Sequence, residues 1–245
     1  MSRAGKDLDL HGQSLWSVMC NPPGVLSSDD AFDEQLPYSL QIKSSMHFTP
    51  LVVARQAASL LAPEPGMSVL DVGAGAGKFC LAAALAVPTA TFIGVELRGH
   101  LVRLASRLAA QLALQNVRFL HSDALHLDWS QFDSFYLYNP FAEQLFEPAF
   151  VLDRSIELDP LNFVVYVTGV RRRLAEARIG TRLVTYHGFG APPPLGYELT
   201  RREPAGTDRV ELWIKTRDVT ADEATEEAAA SSLSRARNGS PGITC

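Results

Sequence analysis

Four residues able to hold polar groups stand at or just beyond the ends of short apolar runs. Asp71 follows Val69-Leu70, Glu96 follows Thr91-Phe92-Ile93-Gly94-Val95, Asp123 lies just past Val117–His121, and Asn139 follows Phe135–Tyr138. Between the first two runs lies Gly73-Ala74-Gly75-Ala76-Gly77. Glycine tolerates positive φ and has no Cβ, so such a turn lets main chain approach a nucleotide-like ligand closely. The alanine-rich segment that follows, from about Lys78 to Ala86, reads as a helix whose free N–H groups point back at the turn. Glu96 is 19 residues after Gly77 (96 − 77). An acid at the end of a second strand accepts hydrogen bonds from ribose hydroxyls.

Spacing sorts the ligand classes that use glycine-rich strand-to-helix turns. A triphosphate loop needs G-x-x-x-x-G-K-[ST]. Gly77-Lys78 is present, but Val72 replaces the first glycine and Phe79 the hydroxyl residue. A dinucleotide turn needs G-x-G-x-x-G, and here the third glycine comes one place early. The remaining pattern, Asp71-x-Gly73-x-Gly75-x-Gly77, resembles the first motif of the class I, Rossmann-like S-adenosylmethionine-dependent methyltransferases. A tight turn without a ligand is the alternative, at a cost of about 0.5–1 kcal/mol per glycine against alanine in regular structure.

The resemblance covers about residues 48–216 and implies an α/β fold. It implies a seven-stranded, mostly parallel sheet with helices on both faces and a last, antiparallel strand inserted between the fifth and sixth. It assigns the cofactor S-adenosyl-L-methionine to Asp71, Gly73, Ala74, Gly75, Gly77, Glu96, Leu97, Asp123 and Ala124, with Asp123 meeting the exocyclic amine of adenine. Asp71 acts through the loop backbone or water near the amino-acid moiety, or else only stabilises the turn. Asn139-Pro140-Phe141 resembles the [DNS]-P-P-[YFW] motif of enzymes that methylate planar amino groups, short of one proline. The non-SET histone-lysine methyltransferases similarly place an Asn and a Phe at this strand end. These three residues are the catalytic candidates. The expected activity is methyl transfer to nitrogen in a protein side chain, a nucleic-acid base or a small molecule. In the bland alternative, Asn139-Pro140 only ends the strand and Phe141 packs beneath the loop. A cofactor-binding module without turnover and an NAD-dependent oxidoreductase are the rival functions.

The elements that must position these residues alternate. A helix over 49–61 opens on Thr49-Pro50 and stops at Pro63-Glu64-Pro65-Gly66. Strands are expected at 68–72, 91–95, 117–121, 132–138, 162–168, about 182–188 and 210–215. Helices are expected at about 77–87, 98–114 and 142–157, with a short Arg-rich one after residue 168, and a long connection from 189 to 208. Residues 1–30 read as a flexible arm, with one docked segment around Leu15-Trp16-Val18-Met19. Residues 31–217 form the methyltransferase domain and 218–245 a disordered tail poor in bulky apolar residues.

Composition narrows the partners. The 245 residues are 47% hydrophobic with a net charge of −5, which gives no global basic footprint for nucleic acid but leaves room for a local patch. Three distant cysteines, Cys20, Cys80 and Cys245, form neither a disulfide framework nor a zinc site. His121 and His126 flank Asp123 without a third ligand, so no metal is expected. Arg171-Arg172-Arg173 reads as a solvated helix face or a phosphate contact, and His47-Phe48-Thr49-Pro50 as a lid over the cofactor or a staple on the next helix. With no run of 18 apolar residues and no secretory signal, a cytoplasmic protein without a membrane partner is expected. The acceptor, whether protein or nucleic acid, and the oligomeric state are left open by the sequence.

Overall fold

The computed structural model describes residues 24–220 and residue 223. The segment around Leu15–Met19 and nearly all of the expected tail lie outside the described residues. The arm boundary shifts: Leu26 is 1% exposed and belongs to the core, so packing already begins at the Gly24–Leu26 turn. Three short helices follow, α1 (Asp29–Asp33), α2 (Tyr38–Gln41) and α3 (Ser44–His47), then α4 (Leu51–Leu61).

The seven strands are β1 (Ser68–Val72), β2 (Thr91–Glu96), β3 (Val117–His121), β4 (Ser134–Tyr138), β5 (Arg182–Tyr186), β6 (Tyr197–Ala205) and β7 (Asp208–Lys215). Helices α5 (Lys78–Ala86), α6 (Gly99–Gln111) and α7 (Pro160–Glu176) connect them. The sheet order is β3-β2-β1-β4-β5-β7-β6. Pairs from β3 through β5 are parallel, and β7 is antiparallel to both β5 and β6. The expected α/β architecture, strand count and inserted last strand are therefore present.

Three expected elements are different. Residues 162–168 are not a strand but lie inside α7, where Asp159 accepts the Leu161 N–H at 2.8 Å and Pro160 opens the first turn. Val167, Val170 and Leu174 then share one buried face. The helix expected at 142–157 shrinks to a 3-10 turn, Ala142–Leu145. Pro148 lacks a donor, and Glu143 and Gln144 spend their oxygens on the N–H groups of Leu152 and Asp159 instead of on a helix surface. The strand β6 occupies most of the expected 189–208 connection, so the strand-helix alternation stops after β5.

The sheet buries both faces. On one face Phe79, Phe92, Leu101 and Tyr136 pack with α4, α5 and α6. On the other, Leu70, Ile93, Phe135 and Leu137 meet Val167, Val170 and Leu174 of α7. The Phe79 and Tyr136 rings stack at 3.8 Å and 7°, and the Tyr136 hydroxyl bonds Thr49 Oγ1 at 3.1 Å. This stack ties the start of α5 to the centre of the sheet just beneath the glycine turn. Phe79→Ala should lower the unfolding free energy by about 3–5 kcal/mol in denaturant titration. A loss below about 1 kcal/mol would show that the stack bears little of the fold.

Candidate active site

The glycine turn starts where β1 ends. Gly73, Gly75 and Gly77 have φ of 78°, 55° and 83°, a region that side chains disfavour. The N–H groups of Gly73 and Ala74 donate to Val95 O at 2.9 and 3.0 Å, so the turn continues the β1–β2 pairing. A Cβ on Gly75 would lie 2.7 Å from the Phe48 ring, and one on Gly73 would lie 3.0 Å from Pro140 Cβ. Phe48, 4% exposed, therefore lies directly over the turn. His47, Phe48, Thr49, Asp71, Gly73, Ala74, Lys78 and Tyr138 line the cavity that results.

Glu96 ends β2 with 7% exposure. Its Oε2 accepts the Gly75 N–H at 3.1 Å, and its Oε1 accepts the Arg98 N–H at 2.9 Å. Burial raises its pKa, while the Arg98 and Gly75 contacts pull the other way. Each oxygen keeps a further lone pair for a hydroxyl donor. Leu97 follows, and its carbonyl is 2.9 Å from His121 Nε2. That contact gives His121 a structural partner, and among the described residues no cluster fit for a metal ion occurs.

Asp71 is 4% exposed and faces the Cys80 Sγ at 3.4 Å. Burial pushes its pKa up to about 7, against the opposing thiol hydrogen bond. Burial likewise pushes the Cys80 thiol up. A carboxyl so poised favours a cation placed beside it. Lys78, the first residue of α5, is 3% exposed and pairs with Asp29 at 2.8 Å and Asp33 at 3.2 Å. These pairs fix α1 against the turn.

Asp123 Oδ1 accepts the Leu125 N–H at 2.8 Å, and Oδ2 accepts the Tyr166 hydroxyl at 3.2 Å. Ala124 beside it is 7% exposed. Phe141, also 7% exposed, stacks on Tyr166 at 5.1 Å and 10°. The Phe141 ring thus packs on the same tyrosine that donates to Asp123, among protein groups. Asn139 leaves β4 in left-handed geometry, φ 39°, with its N–H on Gly188 O at 2.8 Å and its carbonyl accepting the Ala142 N–H at 3.2 Å. Pro140 packs on Gly73, so the end of β4 touches the glycine turn. Arg172 and Arg173 pair with Glu176, and Arg173 also donates to Leu125 O, which makes this run a helix face.

Sequence reasoning brought the turn, Glu96, Asp123 and Asn139 to the same end of the sheet, and there the strand ends place them. It missed Arg98, 6% exposed, whose guanidinium meets Glu143 and Asp153. It also missed Tyr166, hidden in a segment read as a strand. The adjacency of Arg98 to Glu96 was the one local signal for the former. Pairing across 45 and 55 residues gave none.

A methyltransferase-domain family model matches residues 63–158. The chain is 40% identical over 109 residues to the ribosomal RNA small subunit methyltransferase G of Porphyromonas gingivalis, covering 44% of this chain and 42% of that protein. It is 43% identical over 54 residues to a tRNA (guanine-N(7)-)-methyltransferase of Synechococcus, covering 22% of this chain and 23% of that protein. The matches thus span less than half the length of these curated relatives. In fold, it is similar to the mitomycin 7-O-methyltransferase, with a TM-score of 0.50 and 15% identity over 84% of this chain and 61% of that one. Residues 63–158 thus match a methyltransferase domain, set in the Rossmann-like fold that the sheet order shows.

Proposed function

We propose that the chain binds S-adenosyl-L-methionine across the Gly73–Gly77 turn and catalyses methyl transfer to a nitrogen acceptor, with an RNA base as the substrate class. The observation that carries the cofactor half is the buried Glu96 carboxylate clasped by the Gly75 N–H at 3.1 Å, at the end of β2, where a ribose would lie. The names of the two relatives support RNA. A cytoplasmic location follows from that reading.

The residues present fit the group. Glu96 offers its remaining lone pairs to two ribose hydroxyls. Asp123 keeps acceptor capacity for an exocyclic amine beyond its Leu125 and Tyr166 bonds. Asp71 gives the cavity a carboxyl whose ionised form a nearby ammonium would favour. When bound, the cofactor supplies an activated methyl on a sulfonium, and the protein's part is alignment and electrostatics. The Asn139 side chain makes no hydrogen bond to another described residue, so its carbonyl can orient the N–H bonds of an arriving neutral amine. A nitrogen acceptor with its lone pair held in line with that methyl would receive it, and Asn139 would hold an acceptor that carries N–H bonds in that alignment.

A second reading has one observation in its favour. Phe141 stacks within the protein rather than facing an open surface, which suits a binding module without turnover. Supplying the radiolabelled methyl donor with transcribed small-subunit ribosomal RNA, with tRNA or with a protein extract decides between them. Label on a base nitrogen supports the proposal. Label confined to protein redirects the acceptor, and no transfer at all favours the binding module.

Three outcomes are expected. S-adenosylhomocysteine should raise the melting temperature, because a ligand of the folded state stabilises it by about 2.7 kcal/mol at a hundredfold excess over Kd. Glu96→Ala should remove most of that shift, and an unchanged shift would take Glu96 out of the site.

The second outcome concerns pH. Asp71 has a folded-state pKa of about 7 against 3.8 for the free group. Its contribution to stability is therefore fully present below pH 4 and is lost as pH rises through 7. Asp71→Asn should flatten that loss, worth about 4 kcal/mol between pH 4 and pH 8. Parallel stability curves for wild type and variant would contradict the raised pKa.

Third, Asn139→Ala should reduce turnover by about a hundredfold or more with cofactor affinity nearly intact. Loss of cofactor and stability together, with normal turnover per bound cofactor, would make Asn139 a strand terminator.

A further inference from the structure

Arg98 stands between the two halves of the proposed site. Its N–H donates to Glu96 Oε1 at 2.9 Å, and its Nη1 lies 3.8 Å from the same oxygen. Its Nη2 is 2.9 Å from both Glu143 oxygens, and its Nε is 3.1 Å from Asp153 Oδ1. Glu143 follows Asn139-Pro140-Phe141 by two residues. One buried guanidinium thus bridges the carboxylate assigned to the cofactor and the segment leading away from the acceptor motif.

That segment, 143–155, depends on side chains for its order. Glu143 Oε1 accepts the Leu152 N–H at 2.5 Å. Lys43 Nζ donates to Val151 O at 2.5 Å and Leu152 O at 3.2 Å, and His47 Nε2 is 2.9 Å from Phe150 O. Past its first turn it has no regular secondary structure, so these side-chain contacts rather than backbone pairing hold it.

We propose that Arg98 is a positioning residue that couples occupancy of Glu96 to the order of residues 143–155, so that cofactor binding shapes the acceptor side. This rests on the assignment of Glu96 to the cofactor ribose. Coupling requires contacts that differ between the two states. Hydroxyl donors on Glu96 keep its carboxylate ionised and fixed, which holds Nη1 in place. A fixed guanidinium in turn keeps Nη2 on both Glu143 oxygens and Nε on Asp153, two charge-assisted contacts to different carboxylates. Without those donors the buried carboxylate is more readily protonated, and the guanidinium loses the attraction that fixes one arm. His100 Nε2 lies 3.1 Å from Asp153 Oδ2 on the outer side of the cluster.

Hydrogen exchange of the full chain, with and without saturating S-adenosylhomocysteine, tests this in wild type, Glu143→Gln and Asp153→Asn. In wild type the amides around Leu152 should exchange about fivefold or more slowly when the ligand is bound. In Glu143→Gln that slowing should vanish, while affinity measured by calorimetry falls by no more than about the same factor, as reciprocity demands. Should Glu143→Gln fail to fold, Asp153→Asn carries the same expectation. Retained slowing in a folded variant would mean that the ligand shields the segment directly and would overturn the inference. So would binding to wild type without slowing, or an affinity loss larger than the slowing lost, which would make Glu143 a cofactor contact. Absence of any binding to wild type would overturn the cofactor reading itself, and this inference with it.

Discussion

The burial of the Glu96 carboxylate beside the glycine turn constrains everything around it. A carboxylate taken out of water needs donors fixed in place, and here two backbone N–H groups supply them, from Gly75 and Arg98. The Gly75 donor exists only because the turn runs through positive φ, and the turn is held by Val95, the residue before Glu96. The parallel register of β1 on β2, with Val72 opposite Val95, therefore sets the site. Covering this end, Phe48 lies over Gly75 and Pro140 lies against Gly73, so α4's approach and the end of β4 are both fitted to the same glycines.

What the sequence disclosed was local. The turn, Glu96 and the β4 end could be read because each is a short apolar run followed at once by a polar residue. The two errors in the sheet have opposite physical causes. Asn162–Thr168 is rich in β-branched and aromatic residues and runs almost continuously apolar, so its period is ambiguous. The Asp159-Pro160 start and the buried Val167, Val170 and Leu174 settle it as helix, while Leu161 and Val165 remain exposed. The strand β6 is the reverse case. Tyr197–Ala205 is charged, contains Pro204 and has mostly exposed residues, because it lies at the sheet edge and pairs only with β7. An edge strand with such composition avoids pairing with other chains, and the same feature hides it from pattern reading.

The polar contacts of the site were legible only where backbone supplies the partner. Asp123 caps its own turn two residues on, as an acid after a strand does. Its second contact, to Tyr166, crosses 43 residues and depends on a helix that the sequence disguises as a strand. The stack of Phe141 on Tyr166 depends on the same helix, which is why an aromatic expected to face an acceptor packs against α7. Charge counting could not reveal that Arg98 is shared by three carboxylates, since nothing in the spacing of 96, 143 and 153 marks them as neighbours.

The electrostatics of the cavity give a reason for this arrangement. Asp71 and Glu96 are both buried and both have raised pKa values, chiefly through burial, with Glu96 adding to the shift of Asp71 and Glu143 to that of Glu96. Such a cavity is poorly matched to an anion and well matched to a ligand bearing positive charge and hydroxyl donors. The nearest cations are already committed, Lys78 to Asp29 and Asp33, and Arg98 to Glu143 and Asp153. Both cations fix the covering segments, and among the described residues the Asp71 carboxyl has a thiol for its side-chain partner, so a positive group at that point is left for the ligand to supply. A sulfonium cofactor with an ammonium group answers that demand better than an anionic dinucleotide does, so electrostatics reach the same ligand class as the spacing of the three glycines.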